Sequence, residues 1–137
     1  MTMYPTQGEI RRAIARSQNW ERCEQWVEGK IRNLQTMGAR FYRYCNYGVY
    51  VYTNHTLYNL ESKTDARCLL CDVLAVRQLP DAKRTYAILY QRVDRLAVEI
   101  PRGLGKANGI DEPKAGSAYR SGKTDRCVQA IIESGII

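Results

Sequence analysis

The chain contains 137 residues, of which 45% are hydrophobic, so it is long enough to form one compact domain with a buried core. Lysine and arginine number 21 against 14 aspartates and glutamates, and the resulting net charge of +7 predicts an anionic partner. The first residues lack the basic and apolar regions of a signal peptide, and no apolar run reaches the roughly 18 residues of a membrane span. We therefore expect a cytoplasmic protein that does not bind a membrane, with five free cysteines.

The N-terminal part of the sequence predicts two helices. Thr6 and Glu9 have the spacing of a capping box, which indicates a first helix over about residues 7–16. Asn19 can cap a second helix over about residues 20–37, in which apolar residues recur every three or four positions. Gly38 then follows as a residue that commonly ends a helix.

Residues 39–60 have the alternating pattern of short strands. Turns are predicted at Gly48 and at Asn54, so this segment resembles three strands of a β-meander. Residues 68–79 fit either a helix or a strand. We favour a strand, because a turn at 80–83 and a second strand-like run over 84–90 would complete a hairpin. Residues 96–100 alternate again and stop at Pro101.

These elements predict an α+β fold in one domain over residues 1–137. The sheet would lie over about residues 39–100, mainly antiparallel and with about five to six strands. A long glycine- and proline-containing loop over 101–122 and a C-terminal helix over 124–134 would complete the chain. A loop of that length is either functional or disordered.

The end of this loop resembles a phosphate-binding loop without matching one. The motif requires glycine at position 117, which is Ser117, and only 13 residues follow Thr124, too few for the rest of a nucleotide triphosphatase. A helix start with free amides and nearby basic residues can still bind an anion. The candidate ligand-binding residues here are Tyr119, Arg120, Ser121, Gly122, Lys123 and Thr124. An ordinary capped helix explains the same residues.

A second glycine-rich segment lies at 103–109. It is not a dinucleotide-binding motif, because no helical pattern follows it. If ordered, its glycines and Lys106 would form a backbone nest for an anion; a flexible loop is the simpler interpretation.

The predicted meander combines tyrosine with arginine. Six tyrosines fall within 17 residues, more than one core face needs, so we expect one face of the sheet to expose several rings. Such a face can stack bases while arginines hold phosphates, although tyrosine is also a common buried strand residue. The candidate ligand-binding residues of this face are Arg40, Arg43, Tyr44, Tyr50 and Tyr52.

Metal, cofactor and catalytic sites are not predicted. Cys68 and Cys71 have zinc-ligand spacing, but no second close pair completes a site, so buried free cysteines are favoured. His55 is the only histidine, and the carboxylates have no spacing that forces acid–base chemistry. We therefore expect no cofactor and no enzymatic activity.

The sequence favours a non-enzymatic protein that binds nucleic acid or a nucleotide-type ligand, with sequestration of that ligand as one way for it to act. One alternative is an interaction module or inhibitor that docks on an acidic or nucleic-acid-binding face of a larger complex, of the kind that viruses and mobile elements encode. The third interpretation is an enzyme that acts on a nucleotide. The tyrosines, with Trp20 and Trp26, are also compatible with a homodimer or higher oligomer.

Overall fold

The computed structural model describes residues 4–114 and 122–137, and it is an α+β structure with a four-stranded mixed sheet. The elements in chain order are helix α1 (Gln7–Thr36), strands β1 (Arg40–Tyr44), β2 (Gly48–Thr53) and β3 (Thr56–Asn59), helix α2 (Lys63–Cys68), a π-helical turn (Leu69–Val73), helix α3 (Ala82–Leu96), strand β4 (Val98–Ile100), and helices α4 (Leu104–Ala107) and α5 (Gly122–Glu133). None of the helices in the described residues is long and apolar enough to cross a membrane.

The predicted pair of N-terminal helices is wrong in one respect, because α1 is a single helix of 30 residues. The capping box at its start is present: the Thr6 hydroxyl accepts from the Glu9 N–H, and the Glu9 carboxylate accepts from the Thr6 N–H. Asn19 does not interrupt the helix, because no glycine or proline stands near it and asparagine costs little within a helix. The buried stripe begins only at Cys23 and ends at Leu34.

The sheet has the strand order β3-β2-β1-β4, so the predicted five to six strands are too many. The meander over β1, β2 and β3 is antiparallel and confirmed in outline. Strand β4 lies parallel to β1, with Tyr42 opposite Val98 and Tyr44 opposite Ile100. A parallel neighbour requires a crossover, and the helical segment over residues 63–96 supplies it.

The strands predicted within 68–79 and 84–90 are wrong, because residues 68–73 are helical, residues 74–79 form no strand, and residues 84–90 lie within α3. Asp81 is the reason for the second error: its side chain accepts from the Arg84 N–H and caps α3, so the turn before it is a helix start. Ser62 caps α2 in the same way through the Asp65 N–H. Helix α3 buries Thr85, Ile88, Leu89 and Val93, which recur with helical spacing.

The sheet separates two hydrophobic cores. One face carries Phe41, Val49 and Val51, which pack with the buried stripes of α1 and α3. The opposite face carries tyrosines of β1 and β2, which pack with α5. Residues 101–114 cross the end of this second layer and contain the short helix α4, so part of the predicted loop is regular.

Candidate anion-binding groove

The tyrosines predicted to stack on bases are buried. Tyr44, Tyr50 and Tyr52 are 0%, 0% and 8% exposed, because α5 covers the face of the sheet on which they lie. The prediction of an exposed tyrosine face is therefore wrong, and these rings cannot stack on a ligand without displacement of α5.

The hydroxyls of these tyrosines bind the C-terminal segment. Tyr44 donates to Glu112 over 3.0 Å, Tyr50 to Asp125 over 3.3 Å and Tyr52 to Glu133 over 3.2 Å. Tyr47 donates to the Lys114 carbonyl over 3.2 Å. Each ring thus fills the core with its body and satisfies its polar end on a residue of 112–133. This row of tyrosines holds residues 102–114 and α5 against the sheet.

The two arginines of β1 point to opposite faces, since they are three residues apart on a strand. Arg40 is exposed and lies 5.8 Å from the ring centroids of both Tyr42 and Tyr52. Arg43 lies on the other face, where it forms ion pairs with Asp94 at 3.5 Å and Glu99 at 3.1 Å. The two side chains therefore do not form one phosphate-binding site.

A polar cavity of about 480 Å³ adjoins Arg43, and its lining includes Glu61, Asp94 and Glu99. Three carboxylates and one guanidinium give this cavity a net negative charge, which repels an anion. Tyr90 donates to Glu61 at its edge over 3.1 Å. Burial first, and then this hydrogen bond, raise the pKa of Tyr90 to about 12.

This pKa predicts an alkaline loss of stability. Below pH 10 Tyr90 is protonated in both the folded and the unfolded chain, so it makes its full contribution to the free energy of unfolding there. Above pH 10 the unfolded chain ionises first, and the contribution declines as the pH rises through about 12. Urea unfolding between pH 8 and 11 is expected to show a smaller decline for Tyr90→Phe than for the wild type. Equal declines in the two proteins would contradict the prediction.

The predicted backbone nest at residues 103–109 exists, but the protein fills it. The N–H groups of Gly103 and Gly105 donate to Oε1 of Glu112 over 3.1 and 3.2 Å. Gly103 has φ of +90°, a conformation that glycine adopts readily. Glu112 also accepts from Tyr44, so this carboxylate joins the short helix α4 to the sheet. Lys106 is exposed beside the nest, outside these hydrogen bonds.

A basic groove lies between residues 102–114 and α5. It consists of two cavities of about 490 and 340 Å³ that share Ile110 and Asp111. Its basic residues are Arg102, Lys106, Lys114, Lys123 and Arg126. All five are exposed. The fold thus brings the predicted residues Lys106 and Lys123 to one surface.

The sequence reasoning missed Arg102, Lys114 and Arg126. Arg126 was detectable, because it follows Lys123 by three residues and therefore lies near it on a helix. The other two depend on how the chain folds back: the Arg102 guanidinium donates to the Pro113 carbonyl over 3.3 Å and lies 5.9 Å from the Tyr47 ring centroid.

Acidic residues reduce the positive charge of the basic groove. Lys123 lies 3.8 Å from Asp111, but both side chains are exposed, at 55% and 94%, so the pair is weak. At the start of α5, Gly122 and Lys123 are exposed, whereas Thr124 is fully buried and faces the core. Thr124 is therefore unsuited to the ligand contact predicted for it. Tyr119, Arg120 and Ser121 lie outside the described residues.

The cysteines are candidates for metal binding and for nucleophilic chemistry. All five cysteines are free thiols. Cys68 ends α2 and Cys71 lies within the π-helical turn, and no group of three or more His, Cys, Asp or Glu side chains suited to a metal occurs within 4–114 and 122–137. Cys127 lies beside the basic groove, but burial, followed by the charge of Glu112, raises the pKa of its thiol. A raised pKa reduces the thiolate fraction on which nucleophilic attack depends.

Comparisons of this chain with protein-family models, with curated proteins and with solved structures find no match.

Proposed function

We propose that this protein is a non-enzymatic binding protein whose ligand presents the phosphates of a nucleotide or of a nucleic acid, and that the basic groove is the contact. The observation that carries this proposal is the convergence of Arg102, Lys106, Lys114, Lys123 and Arg126 on two adjoining cavities. Basic side chains that line a concave surface raise the local concentration of an anion and neutralise its charge.

The dimensions of the basic groove support a ligand of nucleotide size. Its larger cavity, of about 490 Å³, falls in the range of roughly 300–1,000 Å³ that is typical of small-molecule sites. Arginine can bind a phosphate through two parallel N–H groups, and lysine acts as a point charge. The first turn of α5, where Gly122 and Lys123 are exposed, adds a favourable dipole for negative charge.

The buried tyrosine face is not part of the proposed binding site. Stacking on Tyr44, Tyr50 or Tyr52 has no place in the proposal, because these rings are buried. Among the residues described at the basic groove, Arg102 offers an exposed guanidinium on which a base can stack, since guanidinium planes stack on aromatic rings.

The test compares two triple variants of equal charge change. K106Q/K123Q/R126Q removes three cations of the basic groove, whereas K63Q/R77Q/K83Q removes three exposed cations elsewhere. ATP and a labelled 12-nucleotide single strand serve as probes, measured by calorimetry and fluorescence anisotropy at 50 and 200 mM KCl. We expect the groove variant to bind at least one probe about tenfold more weakly than the control variant, with steep salt dependence in the wild type.

Three outcomes would contradict the proposal. The first is that the wild type binds neither probe at 50 mM KCl, and the second is that the two triple variants lose affinity equally. The third outcome concerns catalysis: chromatography after incubation with ATP is expected to recover the nucleotide intact, and a hydrolysis product would favour the enzyme alternative.

A further inference from the structure

The first half of α1 extends away from the body of the protein. Every residue from 7 to 18 is exposed except Gly8, which is half-buried. Contact with α3 begins at Asn19, which donates to Asp81, the capping residue of α3, over 3.3 Å. The ring of Trp20 then lies 5.6 Å from the Arg84 guanidinium. Residues 7–18 span about 18 Å at the helical rise of about 1.5 Å per residue, and we call them the arm.

The arm has the features of a helix that persists without packing. The capping box at Thr6 and Glu9 satisfies amide groups at its start. Alanine and arginine, which favour helix, occupy five of the six positions from 11 to 16. The buried half of α1 also supplies the nucleus from which the helix propagates. A rigid, solvent-exposed helix is therefore available for a partner.

The charge of the arm is strongly positive. The arm carries three arginines, Arg11, Arg12 and Arg16. It carries one carboxylate, that of Glu9, which already accepts from the Thr6 N–H. Successive helical residues are separated by about 100°, so Arg12 and Arg16 lie about 100° and 140° around the axis from Arg11. The guanidinium groups therefore occupy two flanks of the helix. Ala15 lies between these flanks at roughly 40°, where its small side chain permits close approach.

We propose that the arm enters the major groove of a B-form DNA duplex, with Arg11 directed toward the phosphates on one side and Arg12 and Arg16 toward those on the other. A helix with its side chains is about 10–12 Å wide, and the major groove of B-DNA is about 12 Å wide. Phosphate rows border the groove on both sides, so a cationic helix with charge on two flanks is complementary to it.

Charge also decides against a second copy of this chain as the partner. Two arms side by side would bring six arginines together, and like charges disfavour such an interface. The large apolar side chains exposed on the arm are Ile10 and Ile14, whereas a standard interface takes about 20–30 residues from each partner. The inference is independent of the basic groove, which lies on the opposite side of the sheet from the α1 layer.

The test measures binding of the full chain to a labelled 20-base-pair DNA duplex by fluorescence anisotropy from 50 to 300 mM KCl. Each arginine that neutralises a phosphate contributes about 1 to the slope of log affinity against log salt. R11Q/R12Q/R16Q is therefore expected to reduce that slope by about 3 and to weaken binding at least tenfold at 100 mM KCl. Circular dichroism should show that the variant keeps its helix content.

Two controls make the result decisive. K63Q/R77Q/K83Q carries the same net charge as the arm variant and should change affinity less than threefold. I10S/I14S removes the exposed apolar residues and should bind the duplex as the wild type does. Failure of the wild type to bind at 50 mM KCl, equal losses in both charge variants, or loss of binding in I10S/I14S would overturn the inference. The arm variant should retain any ATP binding, so its failure and that of the basic groove remain distinguishable.

Discussion

Replacement of Tyr44 by alanine is expected to lower the free energy of unfolding by about 3–5 kcal/mol, as large aromatic-to-alanine changes in a core do. The Tyr44 side chain is fully buried, and its ring stacks on Tyr47 with centroids 5.4 Å apart. Its removal leaves a cavity between the sheet and α5 and also deletes the hydroxyl that binds Glu112. Urea unfolding monitored by circular dichroism measures the change.

Tyr44→Phe separates these two contributions. It keeps the ring but removes the hydrogen bond to a carboxylate, for which we expect a loss of about 2 kcal/mol. Burial, followed by this hydrogen bond, raises the pKa of Tyr44, so the hydroxyl stays a donor well above neutral pH.

The matched control for the alanine variant is Tyr4→Ala, because Tyr4 is 83% exposed and should change stability by less than about 0.5 kcal/mol. If Tyr44→Phe and Tyr44→Ala were equally mild, the tyrosine row would not hold the C-terminal segment. Hydrogen exchange is expected to increase most in residues 102–114 of Tyr44→Phe, since Glu112 also accepts from Gly103 and Gly105.

Asn59→Ala is expected to lower the free energy of unfolding by about 2–4 kcal/mol, because the Asn59 side chain is buried and hydrogen-bonds to other polar groups. Its Oδ1 accepts from the Glu61 N–H over 2.9 Å, and its Nδ2 donates to Asp125 over 3.5 Å. The amide also packs against Gly48, where an added Cβ would lie 2.8 Å from Oδ1. Alanine removes both hydrogen bonds and leaves the Glu61 amide without this acceptor.

The control is Asn33→Ala, the same substitution at an exposed position of α1, which should be neutral or slightly stabilising because alanine favours helix. The free energies of unfolding of both variants come from urea titrations at pH 7. A loss at Asn59 as small as that at Asn33 would show that neither hydrogen bond contributes to folding. Asn59→Asp is expected to be at least as damaging as alanine, since it places a further carboxylate beside Asp125.

Local signals in the sequence predicted several boundaries well. The capping box at Thr6 and Glu9 defines the start of α1, and Gly38, with φ of +82°, lies where the helix ends. Alternation correctly located the three meander strands, because a strand with distinct faces repeats every two residues. The wrong strand prediction at 84–90 had a local cause, because an aspartate after a proline, here Asp81, can begin either a turn or a helix. The helix forms because the apolar residues of α3 that are buried recur with helical spacing.

The candidate site was less predictable, because distant residues determine its charge and exposure. Arg43 appeared available for phosphate until Asp94 and Glu99, which are 51 and 56 residues away, proved to pair with it. Arg102 and Lys114 line the same cavity only because the chain folds back and brings Pro113 to Arg102. Sequence spacing records neither kind of contact.

By itself the sequence determined the positive charge, the α+β class and the capped start of α1, since these follow from composition and from contacts within a few residues. Only the tertiary structure decided which surfaces remain available. The tyrosine face is buried because α5 packs across it, the glycine nest is filled because Glu112 reaches it, and the arm is exposed because the body of the protein ends near Asn19. Exposure depends on which elements meet in space, and the residues that cover a surface can stand anywhere in the chain.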